Sequence, residues 1–507
     1  MMKSRFLRKL RWIGLVGIIA LVVVFNSGKK VSASLTTTPL TTTPVQVAQA
    51  NEAKHYTELE FPSLREVQLP EYERYQLDNG MVVYLIEDHE LPLVSGTAII
   101  RTGSRLESGD QVGLASITGN LMRTGGTKTH SPDELNELLE QKAAVVETSI
   151  SSSSGSASFE SLSGDLEEIF SLFADVLRTP AFSPEKLALV KQQTVGGIAR
   201  RNDNPGDIAS REFNKLLYGD DSPYARTVEY DTLENISRTD VVNFYQRYFH
   251  PQNMILGIVG DFEPSQMKDL IEAAFGDWRS PSAVASIQPP PASQQQTGTI
   301  FFVDQPQLTQ SNILLGHLGG QFDSPDYPAL SLLNGVMNGF GGRLFNEVRS
   351  RQGLAYSVYG YWSARYDYPG VFIAGGQTRS DATVPFIQAI RGEIAKLRNN
   401  PVTSEELAYA KESILNSFVF NFQNPGQILS RLMRYEYYGY PADFIFQYQQ
   451  GIKDVTVEDV QRVAQEYLKP ENIVTLVVGS SNQIEPPLSN LGAVKTVDVS
   501  IPKPQNS

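Results

Sequence analysis

The sequence predicts an α+β protein of two homologous domains, each a mostly antiparallel sheet covered by helices. Three observations carry this. First, Ile236–Phe262 and Val455–Asn482 repeat at an offset of 219, matching Asp240 with Asp459, Tyr248 with Tyr467, Pro251 with Pro470, Asn253 with Asn472 and Gly260 with Gly479. Second, Ser183–Arg211 and Thr403–Arg431 repeat at an offset of 220, including Asn204-Pro205-Gly206 against Asn424-Pro425-Gly426. Third, a segment with linker composition, Ser280–Gly298, lies between the copies and holds Pro289-Pro290-Pro291 and Gln294-Gln295-Gln296. Self-similarity at a nearly constant offset signals duplication. Within each copy an amphipathic helix, a Pro-Asn turn and a buried strand follow one another. Long helices alternating with strands indicate a helix-covered sheet.

The boundaries follow in chain order. Lys3, Arg5, Arg8, Lys9 and Arg11 precede the 14-residue apolar run Trp12–Phe25, and Val31-Ser32-Ala33 offers a small-residue cleavage site. A membrane span needs about 20 apolar residues, so residues 1–33 read as a secretory signal peptide. Uncleaved, this segment would be an N-terminal membrane anchor. In either case the body is expected to be exported, to a periplasm or an equivalent extracytoplasmic space. Residues 34–70, rich in Thr, Pro, Ala and Gln, read as a disordered spacer. The first domain is expected over 71–280, with Asp78-Asn79-Gly80 as a turn before the strand-like Met81–Ile86. The linker spans 281–298, the second domain 299–483, and residues 484–507 lose periodicity and read as a polar tail.

Composition narrows the chemistry. Of 507 residues, 41% are hydrophobic and 20% charged, ordinary globular values, and Cys is absent. Disulfides, Cys-ligated zinc, Fe–S clusters and thiol nucleophiles are therefore excluded. Residues 1–33 hold seven Lys/Arg and no acid, so removing them takes the net charge from −13 to −20. A body this acidic is poorly suited to nucleic acid or anionic membrane as its main partner.

Residues 77–127 contain Leu77-Asp78-Asn79-Gly80, Gly103-Ser104, Gly113-Leu114-Ala115 and Gly125-Gly126-Thr127 in that order. This stretch, with the duplicated halves and the linker, resembles the pitrilysin/insulinase metallopeptidases, in the mitochondrial-processing-peptidase branch, over roughly residues 70–480. The resemblance implies a clamshell half, and a helix after Gly-Leu-Ala that carries H-x-x-E-H in active members. Two His four apart share a helix face and bind Zn²⁺, the Glu activates the bound water, and a Glu about 75 residues further on completes the site. Here those five positions read Ser116, Ile117, Thr118, Gly119 and Asn120. Where the family shows a Glu pair, this chain has Gly196 and Gly197. None of the five His (His55, His89, His130, His250, His317) has another His three or four residues away. No catalytic residue, metal ligand or cofactor is therefore expected in this chain.

The second half keeps another family feature. Asn334–Tyr359 reads NGVMNGFGGRLFNEVRSRQGLAYSVY and resembles the family's C-domain segment. By that resemblance Arg343 and Tyr356 are the substrate-binding pair, with Gly341 and Gly342 in a flexible glycine-rich loop before Arg343. A permanent multi-donor cation and a phenol suit peptide carbonyls or a carboxylate. The resemblance then implies a zinc-free subunit that presents unfolded peptide to a zinc-bearing homologous partner, and that is inactive alone. The alternative is a non-enzymatic scaffold or peptide-binding protein on the same fold. A serine mechanism at Ser116 lacks a nearby His base. Plainer roles stand beside each residue. Arg343 can pair with Glu347 at i,i+4, Tyr356 can serve a strand face, and Tyr435, Tyr437, Tyr438 and Tyr440 can line a peptide channel or pack an interface. His89 and His130 are expected in solvent, and His317 as a satisfied strand-end His.

Overall fold

Along Leu93–Ile100 every second side chain is buried, the pattern of a strand with one face on a core. The computed structural model describes residues 67–279, 287–339 and 341–502. The expected signal peptide and most of the spacer lie outside the described residues. No described helix is long and apolar enough to cross a membrane.

The first domain comprises β1 (Glu73–Gln76), β2 (Val82–Glu87), β3 (Leu93–Ile100), α1 (Leu114–Thr124), α2 (Pro132–Gln141), β4 (Val145–Ile150), β5 (Gly155–Leu162), α3 (Leu166–Arg178), α4 (Pro184–Ala199), α5 (Pro205–Tyr218), α6 (Tyr230–Glu234), α7 (Arg238–Tyr248), β6 (Met254–Gly260) and α8 (Pro264–Phe275). The second comprises β7 (Ile300–Asp304), β8 (Gln310–Leu318), α9 (Tyr327–Met337), a π-helical turn (Phe345–Arg351), β9 (Ala355–Ser363), β10 (Val371–Arg379), α10 (Thr383–Asn399), α11 (Ser404–Ser417), α12 (Pro425–Tyr438), α13 (Phe444–Asp454), α14 (Val457–Tyr467), β11 (Val474–Gly479) and β12 (Val494–Thr496). The sheets run β1-β2-β6-β3-β5-β4 and β12-β7-β11-β8-β10-β9. Both are mostly antiparallel, with β2–β6 and β7–β11 as matching parallel pairs. The two homologous α+β domains expected from the repeats are present.

The repeated residues have structural reasons. Asp240 and Asp459 close reciprocal capping boxes with Ser237 and Thr456 at the starts of α7 and α14. Asn204 and Asn424 cap α5 and α12, each with Pro as the first helical residue. These two helices exchange between domains. The α5 residues Ile208, Phe213 and Leu217 pack on the second sheet against Phe301, Leu314 and Leu476. The α12 residues Ile428, Leu429, Leu432 and Met433 pack on the first sheet against Tyr84, Ile86 and Ile255. The exchange explains why β6 and β11 are buried almost throughout: each has its own domain's helices on one face and the other domain's helix on the opposite one.

One sequence expectation needs correction. The polar tail expected over 484–507 is built into the fold as far as residue 502. Ile484 and Leu488 enter the second core, and β12 pairs in parallel with β7. The linker leads directly into β7, so the second sheet has no preceding strand like β1. The C-terminal segment covers that otherwise open edge. The linker itself is strapped down where it is described. The Gln294 amide donates to the Asn472 carbonyl at 2.7 Å and accepts from Leu318 N at 2.9 Å. Tyr224 Oη donates to the Pro290 carbonyl at 2.6 Å.

Candidate functional site

Helix α1 starts where Glu107, buried behind it, accepts hydrogen bonds from the backbone N–H of Gly113 at 3.0 Å and of Ala115 at 2.8 Å. These are helix-terminal donors without an intrahelical partner. Desolvation holds the Glu107 carboxyl above its ordinary range. The helix then packs on β4. Ser116 and Asn120 face solvent, whereas Gly119 is buried against the strand. A Cβ at Gly119 would stand 2.5 Å from the backbone N of Ile150 and 2.8 Å from the carbonyl carbon of Ser149. Thr148 Oγ1 donates to the Gly119 carbonyl at 2.6 Å, which holds helix and strand at this separation. A Glu side chain has no room where the family places its general base.

Gly196 and Gly197 lie on α4, beside open space. Both fall in the last turn of that helix, and neither supplies a ligand atom. Zinc does not fit the residues present at 116, 119, 120, 196 and 197. Among the described residues, one group brings three ligand-type side chains together: exposed Glu87, His89 and Glu263. Glu87 ends β2, whereas α1 packs on β4 at the edge of the same sheet. His89 bridges Asp261 at 2.6 Å and Glu87 at 2.5 Å, which raises its pKa, so it is ion-paired rather than simply solvated as expected. His317 is the satisfied strand-end His expected. It is buried, with Nδ1 at 2.8 Å from the Leu318 carbonyl and Nε2 accepting from Lys469 N at 3.2 Å. Burial lowers its pKa.

Gly342 N donates to the Gly339 carbonyl at 3.0 Å, and Asn346 N to the Gly342 carbonyl at 3.0 Å. Added side chains would meet the Tyr409 ring at Gly341 and the Asn338 backbone at Gly342. Gly341 and Gly342, expected in a flexible loop, are thus closely packed where they are described. Nor does Arg343 pair with Glu347, which is held by Arg351 and by Gln352. Arg343 makes a two-pronged contact with Glu406, Nε to Oε1 at 2.6 Å and Nη2 to Oε2 at 2.8 Å. Glu406 also completes the capping box of α11 with Thr403. The Arg343 guanidinium pulls the Glu406 carboxyl below its ordinary range. The Nη1 donors of Arg343 are not used in this pair.

Tyr356 begins the outer strand β9 and is 85% exposed. Its ring lies 4.9 Å from the Arg349 guanidinium, which also lies 4.7 Å from the Phe345 ring. It borders a hollow of about 350 Å³ with Leu354, Gln377 and Arg379. No hydrogen bond joins Tyr356 to Arg343 among the described residues, so the two stand on consecutive elements with separate partners. Sequence reading missed Arg349 and Glu406. Glu406 is visible in sequence as part of a Thr-x-x-Glu cap, but its pairing with a residue 63 positions away is not.

The tyrosines of α12 form a seam between the domains. Tyr437 Oη donates to the Ser153 carbonyl at 2.6 Å, Tyr438 Oη to Ser153 Oγ at 3.2 Å, and the Tyr438 ring stacks on Tyr366 at 4.6 Å. Interface packing therefore accounts for these two.

Residues 82–223 match the family described as insulinase (peptidase family M16), and residues 235–414 match the peptidase M16 inactive domain. An uncharacterized zinc protease of Bacillus subtilis, YmxG, is 25% identical over 71% of this chain and 86% of its own length. A Helicobacter pylori protein described as a non-peptidase homolog, YmxG, is 23% identical over 71% of this chain and 82% of its own. The crystal structure of a peptidase M16 inactive domain from Pseudomonas fluorescens superimposes with a TM-score of 0.72 at 26% identity, covering 82% of this chain and all of that one. The two matched segments together span more than half of the chain, and it belongs to the insulinase family, as a member that lacks the family's zinc motif.

Proposed function

We propose that this protein is an exported, zinc-free subunit of a heterodimeric processing-type peptidase. It binds unfolded peptide through its second domain and leaves hydrolysis to the zinc site of a homologous partner. The observation that carries the reading is an asymmetry. Every zinc-site position in the first domain is lost, and Gly119 is packed against β4 with no room for a Glu. Meanwhile Arg343 retains free donors and Tyr356 stands exposed beside a hollow. A pure scaffold has no need of an exposed Tyr held by cation–π contact at the mouth of a cavity. Arg343 and Tyr356 would orient the peptide backbone, a contribution of position rather than of chemistry. Export rests on residues 1–33.

The test is peptide cleavage by a zinc-bearing homologue from the same source with and without this chain, alongside metal analysis of each. The proposal expects no turnover by this chain alone, increased turnover on mixing, and loss of that increase with Arg343→Ala or Tyr356→Ala. Hydrolysis by the purified chain, or an undiminished increase with both variants, would sink it.

A further inference from the structure

A second opening lies between the two domains, away from Arg343 and Tyr356. The loop Asp88–Leu93 and strands β3 and β5 form one wall. The turn Phe418–Phe422 and helix α12 form the other, around a hollow of about 850 Å³. A narrower hollow of about 530 Å³ adjoins it and shares Thr97, Tyr366, Ser430 and Arg434. The two make one groove. Its walls are fixed by the Tyr437 and Tyr438 bonds to the Ser151–Ser154 turn and by the Tyr366–Tyr438 stack.

The groove is chemically polarised. At the wide end Leu91, Leu93 and Phe420 are 60%, 46% and 60% exposed, an apolar cluster left open to solvent. Asp88, Glu90 and Glu160 also line that end. At the narrow end stand Arg365 and Arg434. Neighbouring arginines are all engaged: Arg74 with Glu436, Arg105 with Asp367, Arg101 with the Tyr437 carbonyl, Arg431 with Asn421. Asp367, the one carboxylate lining the narrow end, is held by Arg105. Among the described residues, the Arg365 and Arg434 side chains carry no hydrogen bond or ion pair. Two unpaired guanidiniums facing one hollow of an acidic protein are matched to an anion.

We propose that this groove binds an extended peptide, its carboxylate held between Arg365 and Arg434 and its apolar side chains resting on Leu91, Leu93 and Phe420. A densely charged ligand such as a polyphosphate is disfavoured by the carboxylates at the wide end. A single carboxylate followed by apolar side chains meets both ends. Neither hollow is lined by Arg343 or Tyr356.

The experiment is fluorescence anisotropy of the full chain with an N-terminally labelled hexapeptide of aliphatic residues, in three forms: free C-terminal acid, C-terminal amide, and amide with one internal Glu. Binding of an acid form at least tenfold tighter than the plain amide is expected, and the free-acid and Glu forms distinguish a terminal from a side-chain carboxylate. Arg365→Ala and Arg434→Ala should each weaken it about tenfold, and Arg434→Lys should restore part. Both arginines are exposed, so these variants should unfold at the wild-type temperature. Equal binding of acid and amide, unchanged binding by both Ala variants, or displacement of the acid peptide by an equimolar concentration of inorganic phosphate would each overturn the proposal.

Discussion

If Arg343 binds peptide, its pair with Glu406 sets substrate binding against stability. Glu406→Gln keeps the side-chain oxygen that accepts from Thr403 N, so the α11 cap survives, but it removes the charge facing Arg343. The side chains are 18% and 28% exposed, neither buried nor open. Exposed pairs contribute about 0.2–1 kcal/mol, and breaking a fully buried pair costs about 3–5 kcal/mol. A two-pronged, partly covered pair falls between, at about 1–2 kcal/mol. If Arg343 binds peptide, releasing it from Glu406 should raise peptide affinity while lowering stability by that amount. Urea unfolding of wild type, Glu406→Gln, Arg343→Ala and the double variant gives the coupling energy, and anisotropy with an extended peptide gives the affinity. The pH dependence has a definite sign. The Glu406 pKa is lowered in the fold, so its contribution is complete above the ordinary value of 4.5 and is lost as pH falls below it. If stability falls with Glu406→Gln but affinity is unchanged, and Arg343→Ala leaves affinity unchanged too, the pair is structural and the reasoning fails.

Other outcomes are expected. Ser116→His with Asn120→His should fold normally, since both positions face solvent. Adding Gly119→Glu should destabilise by at least about 1–3 kcal/mol through collision with β4, without stoichiometric zinc by metal analysis; a zinc-loaded triple variant of wild-type stability would contradict this. Leu429→Ala and Phe213→Ala, one on each exchanged helix, should each cost about 2–5 kcal/mol in chemical denaturation, and losses below 1 kcal/mol would show that the exchange is not what joins the domains. The His317 pKa is lowered by burial, so the unfolded chain protonates first and stability should decline as pH falls below the ordinary 6.5. His317→Gln should flatten that decline in a melting-temperature profile. Tyr356→Ala should leave the melting temperature unchanged, given its exposure, and weaken peptide binding.

Much of the fold could be read from local chemistry. Asp240 and Asp459 recur because a capping box needs an acid three residues after Ser or Thr, a requirement confined to one helical turn. The Asn-Pro-Gly starts of α5 and α12 are equally local. Their destination was not legible. An amphipathic helix shows which face is apolar but not whose sheet will cover it, so the exchange between domains lay beyond the repeat that signalled it. Residues 484–502 escaped for a related reason. The three residues of β12 are too few for a period, and the open edge of β7 recruits them. At the site, the missing His and Glu ligands could be read directly, because a zinc ligand is a matter of residue identity. The closure around Gly119 could not, because it depends on β4 arriving from 30 residues away.

The sequence by itself determined the duplication, the family, and the absence of zinc-ligating residues at 116, 119, 120, 196 and 197, since each depends on residue identity and spacing along the chain. Only the tertiary structure decided that Arg343 belongs to Glu406 rather than Glu347, and that Arg365 and Arg434 line one groove with neither side chain in an ion pair among the described residues. Those outcomes depend on which elements the two hydrophobic cores bring together, and hydrophobic burial is non-directional along the chain.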